Sequence, residues 1–317
     1  LNQSYMIKIR NILIFFFLLT LLKSEAQNST GLIPIQTFDT KDYNTQPQNW
    51  AIAEDKRGVV YIGNKEALLV YTGSWKKFII DNHNDVWSID VDANGKVFVG
   101  GSGEFGYFYL DSNLTGKLIY YPIYQQLEAE EKAKIQKVSY TVAQDSTAYF
   151  STEEFIYWYR NKDVEIINPP GKIVFLKKLH HRVFVGIEER GLYEIIGNQF
   201  IEIGISGQFT INRDGKTKLN IRDIAEFGNS NIVYINRDTL LETFDLASSK
   251  KYIKAFKTQL DDAVRGENIV KILNLKNKYF ALYSKGKVFI LSTIKEDSSV
   301  NWILKQDCKT MLWKTYF

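Results

Sequence analysis

Cysteine, histidine and proline are scarce in this chain, and each scarcity excludes a class of protein. The single cysteine, Cys308, excludes a disulfide within the chain and a cysteine-based zinc site. Three histidines, His83, His180 and His181, leave little material for a histidine-based metal centre, so neither a metal nor a cofactor is expected. Five prolines exclude a proline-rich or collagen-like protein.

An excess of charge of one sign is also missing. The chain has 40 lysine and arginine residues against 36 aspartate and glutamate residues, which gives a formal net charge of +4. A protein that binds along the phosphates of a nucleic acid needs a larger excess of lysine and arginine residues. We therefore expect no nucleic acid among the partners of this segment.

The residues that are abundant favour β-structure. Hydrophobic residues make up 45% of the 317 residues and charged residues 24%, as in an ordinary globular protein. Aromatic residues reach 14%, with 19 tyrosines and 20 phenylalanines, and such side chains favour sheets over helices. The composition predicts an all-β protein with a large core.

The N-terminal residues have the order of a secretory signal. Lys8 and Arg10 precede an apolar run over 12–22, and Ser24 and Ala26 provide small residues for cleavage. The run is too short to span about 30 Å of hydrocarbon as a helix. We predict a signal peptide with upstream residues over 1–26, a mature N-terminus at Gln27, and a periplasmic or secreted protein. No second long apolar run follows, so no membrane span is expected after cleavage.

A repeated turn runs through the remaining sequence. Asp55 and Gly58 recur 37 residues later as Asp92 and Gly95, each time between two apolar strands, and the second strand ends in glycine. The carboxylate suits the first turn position because it accepts backbone N–H groups, and glycine supplies a positive φ. A weaker copy contains Asp145. These residues are predicted to be structural.

The repeats predict a β-propeller built from four-stranded antiparallel blades. Six blades of a probable seven are present, and together they form a sensor domain over 27–304. A β-sandwich is the rival fold, but it does not explain a turn that recurs at a fixed place in each copy. The six blades are expected at about 48–80, 86–123, 138–168, 172–204, 220–254 and 268–304. Residues 125–137 are predicted to form a short exposed helix between blades two and three, and 258–267 another helical turn.

Several segments resemble a known family of sensor proteins. These segments are 31–34 with Tyr43, then 47–55, and 99–108 with its Val-Gly-Gly-Ser-Gly-Glu-Phe-Gly-Tyr-Phe sequence. They look like the start of the two-component regulator propeller family of Bacteroidetes-type bacteria, in the branch whose propeller leads into a triple-tyrosine domain.

The resemblance implies a periplasmic sensor region followed by a triple-tyrosine domain, one membrane helix and a cytoplasmic output. That output is a histidine kinase or a helix-turn-helix regulator of transcription. The sequence departs from this plan because the later domains are missing and 305–317 form an atypical C-terminal tail. A fragment truncated or frameshifted from a longer sensor gene is therefore one hypothesis, and such a fragment could be inert.

No catalytic motif for nucleophilic, phosphate or metal chemistry occurs in the sequence. The candidate ligand-binding residues are Asn49, Trp50, Trp87 and Tyr140, which lie near the starts of the innermost strands. Their rings suit stacking on a sugar, although packing between blades is the alternative. We expect a non-enzymatic module that senses a glycan, another periplasmic ligand or a partner, including a second sensor propeller. A secreted carbohydrate-active propeller enzyme, a lyase or glycosidase, is the alternative function.

Overall fold

In a computed structural model, the strands of this chain form six four-stranded antiparallel sheets and one two-stranded hairpin. The structure describes residues 36–82, 85–111, 117–203, 210–211, 217–218, 221–228, 231–236, 242–247, 250–252, 269–275, 279–284, 287–296 and 299–309. Each sheet is one blade, and within each blade the strands follow chain order or its reverse. The six predicted four-stranded blades are confirmed.

The first three blades begin close to the predicted positions. Blade 1 contains β1 (Asn49–Glu54), β2 (Val60–Asn64), β3 (Ala67–Tyr71) and β4 (Trp75–Phe78). Blade 2 contains β5 (Val86–Val91), β6 (Val97–Gly101), β7 (Phe105–Leu110) and β8 (Leu118–Tyr121). Blade 3 contains β9 (Tyr140–Gln144), β10 (Thr147–Ser151), β11 (Ile156–Arg160) and β12 (Asp163–Ile167).

The last three blades follow the same plan. Blade 4 contains β13 (Ile173–Leu179), β14 (Arg182–Ile187), β15 (Gly191–Ile196) and β16 (Gln199–Glu202), and the hairpin of β17 (Thr210–Ile211) and β18 (Thr217–Lys218) follows it. Blade 5 contains β19 (Ile221–Phe227), β20 (Asn231–Asn236), β21 (Glu242–Asp245) and β22 (Lys250–Tyr252). Blade 6 contains β23 (Ile269–Leu275), β24 (Tyr279–Ser284), β25 (Lys287–Glu296) and β26 (Ser299–Lys309).

Consecutive blades pack face to face through buried apolar clusters. One such cluster lies in each of the five interfaces, from blades 1 and 2 to blades 5 and 6. The glycines that end the repeated second strands permit this approach. A Cβ on Gly63 would lie 2.5 Å from the Val86 carbonyl oxygen, and one on Gly100 would lie 2.4 Å from Val138 Cγ1. The terminal glycine of the repeat therefore serves blade packing.

The connection between blades 2 and 3 differs from the predicted exposed helix. It contains a 3-10 helix (Ile123–Gln126) and a single α-helical turn (Ala129–Lys132). Ile123, Leu127 and Ile135 are buried in the cluster between the two blades. The charges do face solvent, but the apolar residues between them fix the segment to the blades, so one continuous exposed helix does not form.

The ends of the chain can be described only in part. The predicted signal peptide over 1–26 and the predicted helical turn over 258–267 lie outside the described residues. Near the start of the described residues, Asp39 caps a short helix (Thr40–Tyr43). At the other end β26 pairs with β25 from Ser299 to Lys309. The last strand therefore continues five residues past the predicted domain boundary at 304.

The first strands of the blades form the inner row of the propeller. β1 contacts β5, and contacts follow between β5 and β9, β9 and β13, β13 and β19, and β19 and β23. Within the described chain, β23 and β1 make no comparable contact. Blade 6 takes its fourth strand from β26. In the described ranges, no helix is long and apolar enough to cross a membrane.

Candidate functional site

A β-bulge recurs at the second residue of the inner strands. The pairing register shifts at this residue in five of the six blades, and the residues are Trp50, Trp87, Val174, Arg222 and Val270. We call these five residues the bulge ring. All are half-buried. Bulges re-aim a side chain and are common beside binding sites, so the bulge ring marks one end of the inner strands as the candidate site.

Two members of the bulge ring stack on each other. The rings of Trp50 and Trp87 are parallel to within 8°, and their centroids are 3.5 Å apart. The ammonium of Lys137 lies 4.7 Å from the centroid of the Trp87 ring. We call Trp50, Trp87 and Lys137 the tryptophan stack. Because Trp87 contacts both other members, Trp50 provides the outer indole of the stack.

A carboxylate and a hydroxyl fix the orientation of Trp87. The indole N–H of Trp87 donates to Asp85 Oδ2 at 2.9 Å and lies 3.0 Å from Ser102 Oγ. Ser102 donates its backbone N–H to Asp85 Oδ1 at 3.0 Å and its hydroxyl to Oδ2 at 2.6 Å. Asp85 precedes β5 and Ser102 follows β6, so both belong to the end of blade 2 that carries the bulge. The ring is held by hydrogen bonds as well as by stacking.

Asn49 lies beside the stack but outside the bulge ring. It occupies the paired position before the bulge, opposite Asn64. Its Oδ1 accepts a hydrogen bond from Asn64 Nδ2 at 2.8 Å. The backbone therefore places Asn49 next to Trp50, with its oxygen already engaged by a buried neighbour.

Tyr140 lies away from the tryptophan stack. Blade 3 has no bulge, and Tyr140 pairs with Ser151. The ring packs between blades 3 and 4, and its hydroxyl donates to the Val174 carbonyl. Burial raises the pKa of Tyr140 to about 12. Of the four sequence candidates, Trp50 and Trp87 meet, Asn49 adjoins them, and Tyr140 belongs to an interface between blades.

Sequence reasoning missed several residues of the site. Lys137, Asp85 and Ser102 come from connections around blade 2, and Arg222 is the one charged member of the bulge ring. Arg222 donates from Nη1 to the Ile269 carbonyl at 3.2 Å. One signal was available, because Trp50 and Trp87 are separated by the same 37 residues as the repeated aspartates. No comparable signal marks the lysine or the arginine.

The tryptophan stack can bind a ligand. An indole face and an ammonium can contact a ring-shaped ligand and its polar groups. In the part of the chain that the structure describes, no group of three or more histidine, cysteine, aspartate or glutamate residues could hold a metal ion.

Comparison with protein-family models finds no match, and comparison with curated proteins finds none either. Solved structures with a similar fold include the WD40 propeller domain of Doa1, at 12% identity and a TM-score of 0.56, over 83% of each chain. Virginiamycin B lyase from Staphylococcus aureus is similar at 9% identity and a TM-score of 0.57, over 83% of this chain and 86% of the lyase.

The extracellular domain of a bacterial two-component system has a similar fold. The extracellular domain of BT4673, a hybrid two-component system from B. thetaiotaomicron, is 13% identical with a TM-score of 0.56. The match covers 82% of this chain and 33% of that one, so this chain spans about a third of that domain. These likenesses establish the propeller fold, which enzymes and binding proteins share.

Proposed function

We propose that this chain is an exported, non-catalytic propeller that binds a ligand as the sensory part of a signal-transduction regulator. Three observations support the proposal: the N-terminal sequence with the order of a secretory signal, the resemblance to the two-component regulator propeller family, and the shared fold of the extracellular domain of a two-component system. The proposed location is the periplasm or the outside of the cell. Kinase or transcription activity would reside in other domains of such a regulator.

The tryptophan stack is the observation that carries the proposal. Trp50 and Trp87 leave the ladder at bulges and stack on each other between blades 1 and 2, and both remain half-buried. Tyr140 is half-buried as well, but it keeps its paired position in blade 3. The proposed ligand is a glycan, because a sugar presents a C–H face to an indole and hydroxyls to the neighbouring polar groups.

Binding of oligosaccharides tests the proposal. We expect a panel of neutral and acidic oligosaccharides to contain a ligand that binds in isothermal titration calorimetry. Trp50→Ala should weaken binding by about 2 kcal/mol, roughly thirtyfold, as expected for a central aromatic contact. Tyr121→Ala is the matched control, because this exposed tyrosine lies on the outer strand of blade 2. Equal losses in both variants would contradict a site at the stack.

Analysis of products separates this function from the enzymatic alternative. The same oligosaccharides are incubated with the protein and examined by mass spectrometry. A sensor should return them unchanged, whereas cleavage would replace the proposal with a lyase or glycosidase. Absence of any binding across the panel would count against a glycan ligand.

We also propose that the row of six blades is completed by a seventh. Ile52 of β1 is 73% exposed and Leu273 of β23 is 54% exposed, and each lies on the face turned away from the adjoining blade. Consecutive blades of this protein cover such faces with each other. A further blade, or a second sensor propeller, would bury these apolar faces in the same way.

A further inference from the structure

Two polar side chains are fully buried beside the tryptophan stack. Asn64 and Glu104 each have a relative exposure of 0%. Asn64 is the last residue of β2 in blade 1, and Glu104 lies in the turn between β6 and β7 in blade 2. A buried polar group needs partners, and its partners show what it holds in place.

Asn64 holds the segment that enters β1. Its Nδ2 donates to the Gln46 carbonyl at 2.6 Å and to Asn49 Oδ1 at 2.8 Å. Its Oδ1 accepts the backbone N–H of Glu66 at 3.0 Å. The amide therefore uses both donor hydrogens on residues just before Trp50.

Glu104 holds the connection that enters β5. Its Oε2 accepts the backbone N–H of Asp81 at 3.0 Å, and its Oε1 accepts that of Asn82 at 2.6 Å. The Tyr120 hydroxyl lies 3.5 Å from Oε2. The same connection ends at Asp85, which receives the indole N–H of Trp87.

The two side chains thus occupy the same role in adjacent blades. Each fixes the backbone that leads into a bulged tryptophan, Asn64 from the end of β2 and Glu104 from the turn after β6.

We infer that Asn64 and Glu104 are positioning residues that preorganise Trp50 and Trp87 for the ligand. The inference rests on the proposed function only in assuming that a ligand binds at the tryptophan stack. The positioning itself is a property of the unbound protein, so it can be measured without any ligand. A preorganised stack reduces the ordering cost of binding.

Isosteric substitutions test the inference because they reverse donors and acceptors without changing volume. Glu104→Gln places an NH₂ group against a backbone N–H, and Asn64→Asp places an oxygen against two acceptor oxygens. The readout is the Trp87 indole N–H in NMR spectra, assigned with Trp50→Phe and Trp87→Phe. We expect Glu104→Gln to accelerate its solvent exchange by about tenfold or more. Asn64→Asp should shift its resonance, because the Trp50 ring moves.

Gln144→Glu is the matched control. Gln144 Nε2 donates to the His181 carbonyl at 2.7 Å, at the opposite end of the blades. This isosteric change should leave the Trp87 resonance and its exchange unaltered. Backbone amide protection in blade 4 verifies that each variant is folded.

Unchanged exchange in folded Glu104→Gln, or an unchanged resonance in folded Asn64→Asp, overturns the inference for that residue. If Glu104→Gln does not fold, Asn64→Asp provides an independent test through the other blade. If the wild-type protein shows a protected indole but binds no oligosaccharide, the proposed function fails and the positioning stands.

Discussion

Asp55 closes the turn between β1 and β2 with a single carboxylate. Its Oδ1 accepts the backbone N–H groups of Arg57 at 2.8 Å and Val59 at 3.1 Å. Its Oδ2 accepts from the Arg57 guanidinium at 2.6 Å and from the Tyr61 hydroxyl at 3.1 Å. Burial acts to raise the pKa of Asp55, but these hydrogen bonds outweigh burial and hold the pKa below its ordinary value of 3.8. The ionised carboxylate therefore stabilises the fold.

The substitution Asp55→Asn should destabilise the protein in a pH-dependent way. A lowered pKa in the folded state contributes stability above pH 3.8, and that stability is lost as the pH falls through the folded value. At neutral pH we expect a loss of about 1–3 kcal/mol. Urea unfolding at neutral and at acidic pH measures the difference, which should shrink in acid. The exposed Asp145→Asn is the control, and a loss independent of pH would contradict the assignment.

The site shows which residue-level features a sequence can and cannot predict. Trp50, Trp87 and Tyr140 all lie five residues before the turn aspartate of their repeat, so the sequence makes them look equivalent. Two of the strands contain a bulge and the third does not, which moves Tyr140 to a paired position. A bulge arises from packing against neighbouring strands, and no local residue pattern in the sequence predicts which of these strands contain one.

Among the described strands, none pairs with the inner edge of β9, and charged side chains bind part of the backbone N–H and carbonyl groups along this edge. The backbone N–H of Ala143 in β9 donates to Asp90 Oδ2 at 2.8 Å, and its carbonyl accepts from Lys178 Nζ at 2.5 Å. Asp90 belongs to blade 2 and Lys178 to blade 4, so the two clamp the blade between them. Unpaired edge groups otherwise invite pairing with another chain.

Lys178→Met tests this clamp. Burial raises the pKa of Asp90, and the nearby Lys178 ammonium opposes the increase. Removing the ammonium should raise that pKa further and cost about 1 kcal/mol at neutral pH, a value reduced for the partial exposure of the lysine. A raised carboxyl pKa penalises the fold above that pKa, so the loss should diminish as the pH falls. Urea unfolding across this range provides the measurement.

Lys172→Met is the control for the clamp. Lys172 pairs with Glu153 at 2.8 Å on the surface, where solvent screens the interaction. No change in stability is expected. If both methionine variants behaved alike, the clamp would contribute nothing beyond an ordinary surface ion pair.

The positions of the strands were easier to predict than the packing of side chains between the blades. The strand positions follow from alternating apolar residues and turn signals, and the starts of all six blades agree with expectation. The prediction of one exposed helix over 125–137 was only partly right. It relied on the charged residues of the segment, whereas the structure has a 3-10 helix and a single α-helical turn. The buried side chains of Ile123, Leu127 and Ile135 lie in the apolar cluster between blades 2 and 3, and that packing decides the local structure.

At the scale of the whole molecule, the two end blades differ from the four between them. In blade 6, Ile272 packs toward blade 5, and the next residue, Leu273, points to the other face. Ile272 is 0% exposed and Leu273 is 54% exposed. In blade 1, Ile52 has the same relation to the interface with blade 2. Exposed apolar faces of this kind favour association.

Adjacent lysine substitutions distinguish a covered face from an open one. Ile272→Lys buries a charge between blades 5 and 6 and should cost more than about 3 kcal/mol in urea unfolding. Leu273→Lys should leave the stability of this chain within about 0.5 kcal/mol, because its side chain meets solvent. The same variant should lower self-association in sedimentation velocity, since it places charge on an apolar face. A loss of stability from Leu273→Lys as large as that from Ile272→Lys would mean that this face is already covered within the chain. The row would then be complete with six blades. Neither a seventh blade nor a second propeller would be needed to bury the face that contains Leu273.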